Sequence, residues 1–112
     1  QTAGSVPLLW LCVVVLAPIA EELFFRGFIF TGWAASWLRP VPSIVVIAGL
    51  WASIHTQYDL YGKASILVAG LLLGWARWRT GSLYVPMFLH GVMNLLASVQ
   101  VAVQVSFFGT GK

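Results

Sequence analysis

Four long apolar stretches follow one another along the chain, and turn-forming residues separate them. Within the third stretch, Gly70 and Gly74 have the spacing of small residues that lets two helices approach closely. Pro18 lies inside the first stretch, where it predicts a kink or a helix start. We therefore predict an all-α, polytopic transmembrane helical bundle with a polar site inside it. The stretches run from about Pro7 to Leu38, Ser43 to His55, Lys63 to Arg79 and Pro86 to Phe108.

The composition favours a membrane environment. Hydrophobic residues make up 60% of the chain and charged residues only 8%, whereas a soluble domain carries about 25% charged residues. The basic residues are spread along the chain, which excludes a nucleic-acid-binding patch and predicts the lipid bilayer as a partner. Cys12 is the only cysteine, so a disulfide framework and a thiolate metal site are both excluded.

Basic residues in the connections also predict a topology. If the stretches alternate in direction, Arg39, Arg77 and Arg79 fall on one side of the membrane, and Lys63 falls on the other. Positively charged connections stay in the cytoplasm. We therefore expect the three arginines to lie on the cytoplasmic side.

Polar residues inside apolar stretches need a reason, because an ionisable group at mid-membrane costs at least about 2.5 kcal/mol to insert. Glu22 and Arg26 are four residues apart, so we expect an ion pair on one helix face, with Arg26 as structural support. Glu21 points about 100° away round the helix and has no local partner. Such a carboxylate suits a general base that takes a proton from water. The polar set is Glu21, Glu22, Arg26, His55, His90 and Asn94.

The two histidines come from other stretches and are expected to meet Glu21 at one point. Asn94 lies four residues after His90, where its amide either orients the imidazole, donates to an oxyanion or makes an interhelical hydrogen bond. Counted from the arginine side at helical rise, Glu21 is about 27 Å deep and His90 only about 16 Å. We therefore predict an irregular, partly extended segment between Thr80 and Pro86 that carries His90 deeper.

Several reaction types are excluded by missing motifs. The chain has no His-Glu-x-x-His helix and no Gly-x-Ser-x-Gly turn, and Asp59 is its only aspartate. These absences exclude a standard zincin, a serine hydrolase of the elbow type and a two-aspartate protease. What remains is water activated by a carboxylate and imidazoles, with or without a metal. Glu21, His55 and His90 would suit a divalent metal such as zinc.

Three short motifs follow in a fixed order: Glu21-Glu22-Leu-Phe-Phe-Arg26, Trp51-Ala-Ser-Ile-His55 and His90-Gly-Val-Met-Asn94, the last preceded by Arg79-Thr-Gly-Ser-Leu-Tyr-Val-Pro. In these motifs the chain resembles the type II CAAX prenyl endopeptidase and bacteriocin-processing (CPBP, or Abi) family of intramembrane endopeptidases. Trp51 stands where the family has phenylalanine. This change alters the pocket beside His55 and makes Trp51 a candidate substrate-binding residue.

The resemblance implies roles for the site residues. Glu21 and His55 would activate the attacking water, with Glu22 assisting. His90 and Asn94 would stabilise the oxyanion or complete the water site. The substrate would be a membrane-associated peptide or lipidated protein, such as a prenylated CAAX protein or a leader peptide. Family members are described both as metalloproteases and as metal-free, glutamate-dependent enzymes, so the resemblance leaves the metal open.

Two other functions use the same residues. Intramembrane acids and imidazoles relay protons in transporters, so a proton-coupled membrane transporter is one alternative. A non-catalytic membrane protein of the bacteriocin-immunity type is the other. The chain begins with Gln1 and lacks the basic stretch of a signal peptide. We expect residues 1–112 to be the catalytic core of a longer protein in a prokaryotic cell membrane, with further helices upstream.

Overall fold

A computed structural model describes residues 4–109, and in this range the chain is all-helical, as predicted. Two helices, α1 (Ser5–Ala34) and α4 (Tyr84–Phe108), are long and apolar enough to cross a membrane. Helix α2 (Pro40–Ile54) is apolar but shorter, and α3 (Leu60–Thr80) lies between it and α4. Four membrane-spanning segments therefore remain a prediction.

Helix α1 changes its hydrogen-bond register twice. Two π-helical stretches, Cys12–Leu16 and Leu23–Ile29, flank an α-helical segment, Ala17–Glu22. The predicted irregularity at Pro18 is thus part of a continuous helix, because the wider turn before Pro18 accommodates a residue that has no N–H. The flanked segment ends on the two adjacent glutamates, so both register changes lie within one or two turns of them.

The predicted interruption between the third and fourth stretches is confirmed, but it is shorter than expected. Helix α3 continues to Thr80, and α4 starts at Tyr84. Gly81 adopts φ 68°, a left-handed conformation that glycine takes without steric cost, and its N–H donates to the Arg77 carbonyl at 3.1 Å. Between α3 and α4 only residues 81–83 are non-helical, and Gly81 and Leu83 have helical rather than extended dihedral angles. The prediction of a partly extended segment is therefore wrong, and His90 is brought to the site by an early restart of the helix.

Helices α2 and α3 pack closely because α3 presents glycines to α2. A Cβ at Gly74 would lie 2.8 Å from Cγ2 of Ile44, and one at Gly70 would lie 3.0 Å from Cε3 of Trp51. The packing role predicted for both glycines is confirmed. The buried apolar core that includes this contact consists of Phe25, Phe30, Ile44, Ile47, Trp51 and Leu73.

Large apolar side chains cover the outside of the bundle. Phe28 of α1 is 75% exposed and Phe88 of α4 is 72% exposed, and they belong to a much larger exposed apolar surface. Soluble monomers rarely expose contiguous apolar patches above a few hundred Å². Glu22 and Arg26 of α1, in contrast, are buried inside the bundle, as lipid contact on the outside requires.

Candidate active site

Glu21, His55 and His90, together with Trp51 and Asn94, line one cleft of about 880 Å³. The cleft is bounded by all four helices and by the turn after α2. Most of its remaining lining is apolar, as contributed by Leu9, Trp10, Val13, Ile66, Met93 and Val101. The cleft thus contains polar residues from three separate stretches of the sequence.

His90 bridges the two glutamates of α1. Its Nδ1 lies 2.9 Å from Oε1 of Glu22, and its Nε2 lies 3.2 Å from Oε2 of Glu21. Carboxylate oxygens accept, so each ring nitrogen donates when the imidazole carries two protons. Glu22 is fully buried, whereas the Glu21 side chain is 35% exposed. Glu21 is therefore the carboxylate that can meet a water or a substrate.

The predicted ion pair between Glu22 and Arg26 is present and buried, with Nη1 of Arg26 at 3.0 Å from Oε1 of Glu22. Arg26 also donates through Nη2 to the Gly70 carbonyl at 3.1 Å, and its guanidinium lies 4.8 Å from the centre of a Trp51 ring. With a doubly protonated His90, the two glutamates and two cations carry no net charge. Buried charges persist when they are paired in this way.

His55 ends α2 and is turned back onto its own helix. Its Nδ1 lies 2.6 Å from the Trp51 carbonyl oxygen, and a carbonyl only accepts, so Nδ1 carries the proton of that bond. In a neutral ring this leaves the lone pair on Nε2. Trp51 makes edge contacts with the rings of His55 at 5.2 Å and His90 at 5.3 Å. No hydrogen bond or ion pair of residues 4–109 joins His55 to Glu21; the two share the cleft only.

Asn94 makes the interhelical hydrogen bond that was one of its three predicted roles. Its Nδ2 donates to the Val13 carbonyl at 2.9 Å. In the π-helical turn the Ala17 N–H donates to Cys12, five residues back, and Pro18 has no N–H to offer. The Val13 carbonyl is thereby left without a backbone donor, and Asn94 supplies one. The second amide hydrogen of Asn94 remains for a group in the cleft.

The three residues suggested as metal ligands do not fit a metal as they are arranged. Within the described part of the chain, no group of three His, Cys, Asp or Glu side chains is arranged so that it could hold a metal ion. Both nitrogens of His90 face carboxylate oxygens of Glu21 and Glu22, and His55 is separate from that cluster.

Arg77 is a contact residue that sequence analysis assigned to topology alone. Its Nε donates to the Arg26 carbonyl at 3.2 Å, which joins α3 to the middle of α1. Its position 51 residues away along the chain gave no signal of this contact. Three buried polar atoms around Arg26, namely Oε2 of Glu22, Nε of Arg26 itself and Nε1 of Trp51, have no hydrogen-bond partner among the described residues.

Comparison with known proteins gives one family and two relatives. Residues 3–96 match the family model of the Rce1-like type II CAAX prenyl endopeptidases. An uncharacterized 24.3 kDa protein of Escherichia coli is 32% identical in an alignment 93 residues long that covers 80% of this chain and 42% of that protein. The uncharacterized protein YyaK of Bacillus subtilis is 24% identical in an alignment 112 residues long, gaps included, that covers 90% of this chain and 38% of YyaK. The chain thus spans about two fifths of these relatives, and no solved structure matches it.

Proposed function

The chain belongs to the Rce1-like type II CAAX prenyl endopeptidase family, and from this membership we propose that it is an intramembrane endopeptidase in which Glu21 and His55 activate the attacking water. The observation that carries the proposal is the position of Glu21. Its partly exposed carboxylate lies in an apolar cleft that His55 also lines, and Nε2 of the buried His90 lies 3.2 Å from its Oε2. This arrangement fits a general base beside a water-orienting imidazole.

In the first step, Glu21 takes a proton from a water molecule, while Nε2 of His55 accepts a hydrogen bond from the other O–H of that water. The water oxygen then bonds to the carbonyl carbon of the substrate, and the carbonyl electron pair moves onto oxygen. When the tetrahedral intermediate collapses, the C–N bond breaks and protonated Glu21 gives its proton to the leaving nitrogen. The products are a carboxyl terminus and an amine, and Glu21 is regenerated.

We assign His90 to holding Glu21 rather than to the oxyanion, because both of its ring nitrogens face carboxylates. The second amide hydrogen of Asn94 is the side-chain donor that we propose for the oxyanion. Glu22 assists indirectly: it fixes the orientation of His90 and is itself held by Arg26.

The substrate is proposed to be a peptide or lipidated protein at the membrane, because the cleft offers apolar walls around a small polar centre. A prenylated CAAX tail, with its lipid and aliphatic residues, matches that chemistry. The protein would lie in the cell membrane with Arg39, Arg77 and Arg79 on the cytoplasmic side.

The test uses the full-length protein in lipid nanodiscs and two internally quenched peptides that end in Cys-Val-Ile-Met, one farnesylated and one not. We expect cleavage of the farnesylated peptide, and a loss of about 10²- to 10⁴-fold in kcat for Glu21→Gln, as expected when a general base is removed. Arg79→Gln, which changes an exposed residue outside the cleft, is the matched control.

The results separate the alternatives. Cleavage that survives in Glu21→Gln contradicts the role given to Glu21. Cleavage of neither peptide by the wild-type protein contradicts the substrate class. If the wild-type protein instead acidifies proteoliposomes in a Glu21-dependent manner, the transporter is favoured over the peptidase. A Glu21→Gln protein that protects cells from a bacteriocin as well as the wild type does would favour the immunity protein.

A further inference from the structure

The second π-helical stretch of α1 releases a backbone carbonyl close to the glutamates. At its end, the Phe30 N–H donates to the Phe25 carbonyl, five residues back, instead of to the carbonyl of Arg26. In α register the next N–H would pair with the carbonyl four residues back, that of Gly27, which passes over the Arg26 carbonyl. A buried carbonyl without a donor costs about 1–3 kcal/mol, so a substitute donor is expected.

Arg77 supplies that donor from the neighbouring helix α3. Its Nε donates to the Arg26 carbonyl at 3.2 Å, and its Nη2 donates to Oγ1 of Thr31 at 3.4 Å. The guanidinium also lies 5.7 Å from the centre of the Phe30 ring, within the range of a cation–π contact. One half-buried side chain thus touches α1 at three points around the place where the register returns to α.

The residue whose carbonyl is capped is also the residue that anchors the glutamates. The Arg26 side chain donates to Glu22 at 3.0 Å, and the same Glu22 oxygen accepts from His90 at 2.9 Å. His90 in turn reaches Glu21 at 3.2 Å. A continuous set of contacts therefore joins Arg77, through Arg26, Glu22 and His90, to the carboxylate in the cleft.

We propose that Arg77 is a positioning residue for the hydrolysis: by capping the Arg26 carbonyl it fixes the π-helical register of α1, which sets the Arg26 side chain beside Glu22 and so orients His90 and Glu21. The proposal rests on the proposed function for its kinetic part only. Helix register matters here because residues four apart differ in angular position by roughly 70° between α and π geometry.

The contacts require an arginine specifically. A guanidinium presents Nε and Nη donors in one rigid plane, so it can reach a carbonyl and a hydroxyl at the same time while stacking on a ring. A lysine ammonium keeps the charge at this end of α3 but not that geometry. Arg79, two residues on, is exposed and lies 5.9 Å from a Trp78 ring on its own helix. A variant of Arg79 therefore removes a positive charge from the same end of α3 without removing a contact with α1.

The experiment compares Arg77→Lys, Arg77→Gln and the control Arg79→Gln in the full-length protein in nanodiscs. With the farnesylated quenched peptide, we expect both Arg77 variants to lose about ten-fold in kcat with KM within about two-fold of wild type, because misplaced catalytic groups affect the chemical step. Arg79→Gln should leave both constants unchanged. Thr31→Val, which removes one of the three contacts, should lower kcat in the same direction by less.

A second measurement does not depend on cleavage. The ¹⁵N resonances of the His90 ring, in protein labelled at histidine, report its bonds to both glutamates. We expect Arg77→Lys to shift them and Arg79→Gln not to. If the wild-type protein fails to cleave, the proposed function fails while the resonances still test the positioning. Unshifted resonances in Arg77→Lys, or Arg77 variants that lose thermal stability with kcat unchanged, overturn the proposal. If Arg77→Gln does not fold, Arg77→Lys and Thr31→Val decide it.

Discussion

Oε1 of Glu22 lies 2.9 Å from Nδ1 of His90, a residue 68 positions further along the chain. The bond joins α1 to α4 and is buried. The same oxygen accepts from Arg26 at 3.0 Å, so one carboxylate holds a cation of its own helix and an imidazole of another. Glu22 is therefore the centre of the polar network, and Glu21 is its exposed end.

This difference predicts unequal costs for two adjacent substitutions. Glu22→Gln leaves the buried Arg26 without its anion and exchanges an acceptor for an amide beside His90. Removing one partner of a buried ion pair costs about 3–5 kcal/mol. We expect a loss of that size in the free energy of unfolding, measured by denaturant titration in mixed micelles.

Glu21→Gln is the matched control, because it makes the same chemical change one residue earlier at a side chain that is 35% exposed. Its effect on stability should be below about 1 kcal/mol, since solvent in the cleft can satisfy the groups left behind. Equal destabilisation by the two variants would contradict the division of roles between the glutamates.

The close approach of α2 and α3 predicts that Gly74→Ala destabilises the protein. The added methyl group would lie 2.8 Å from Cγ2 of Ile44. Overpacking of this kind costs about 1–3 kcal/mol. Unfolding of the purified protein in micelles measures the cost, and Ile44→Ala in the same chain should recover part of it by making room.

Gly49→Ala provides the comparison on the facing helix. Nothing lies within 4 Å of a Cβ built at Gly49, and alanine is favoured over glycine inside a helix by up to about 1 kcal/mol. This variant should be as stable as the wild type or more stable. A destabilised Gly49→Ala protein together with an unaffected Gly74→Ala protein would contradict the close approach of α2 and α3 at Gly74 and Ile44.

The bond from Asn94 to the Val13 carbonyl predicts that Pro18→Ala partly offsets the loss of stability caused by Asn94→Ala. Asn94→Ala leaves this carbonyl without a donor and should cost about 1–3 kcal/mol of stability. Pro18→Ala restores a backbone N–H one π-helical turn after Val13. The cost of Asn94→Ala should therefore be smaller in the Pro18→Ala protein, as a double-mutant cycle measures.

The same cycle, followed by peptide cleavage, distinguishes two roles of Asn94. If the amide only holds α4 against α1, Pro18→Ala should restore kcat to Asn94→Ala along with stability. If it also donates to the oxyanion, as we propose, stability should recover while kcat stays low, by about 10²- to 10³-fold. Full recovery of kcat would therefore remove Asn94 from the proposed oxyanion site.

We expect Trp51→Phe to destabilise the protein less than the burial of Trp51 suggests. The indole Nε1 is buried without a partner among the described residues, and removing an unsatisfied donor recovers about 1–3 kcal/mol, which offsets the lost packing. Trp51→Phe should stay within about 1 kcal/mol of wild type by denaturant unfolding, whereas Trp51→Ala should lose about 3–5 kcal/mol. A Trp51→Phe variant as unstable as Trp51→Ala would indicate that Nε1 has a partner.

Local spacing predicted the features that depend on one helix. The four-residue interval between Glu22 and Arg26 predicted their ion pair, and the interval between Gly70 and Gly74 predicted a packing face. The glycine prediction succeeded because residues four apart lie on one side of an α-helix whatever surrounds it. Arg26 lies in the π-helical stretch Leu23–Ile29, and its long side chain still reaches Glu22. The same rule was insufficient for Asn94, whose amide reaches α1 rather than the imidazole one turn away.

The amino-acid sequence by itself determined the helical class, the membrane environment and the burial of Glu22, Arg26 and His90, because apolar length and the cost of intramembrane charge are properties of composition and order. Only the tertiary structure decided their partners. The bridge from His90 to both glutamates and the contact of Arg77 with Arg26 each join residues more than 50 positions apart. Such contacts depend on how the helices pack and where α1 changes register, and no periodicity within a single helix encodes either.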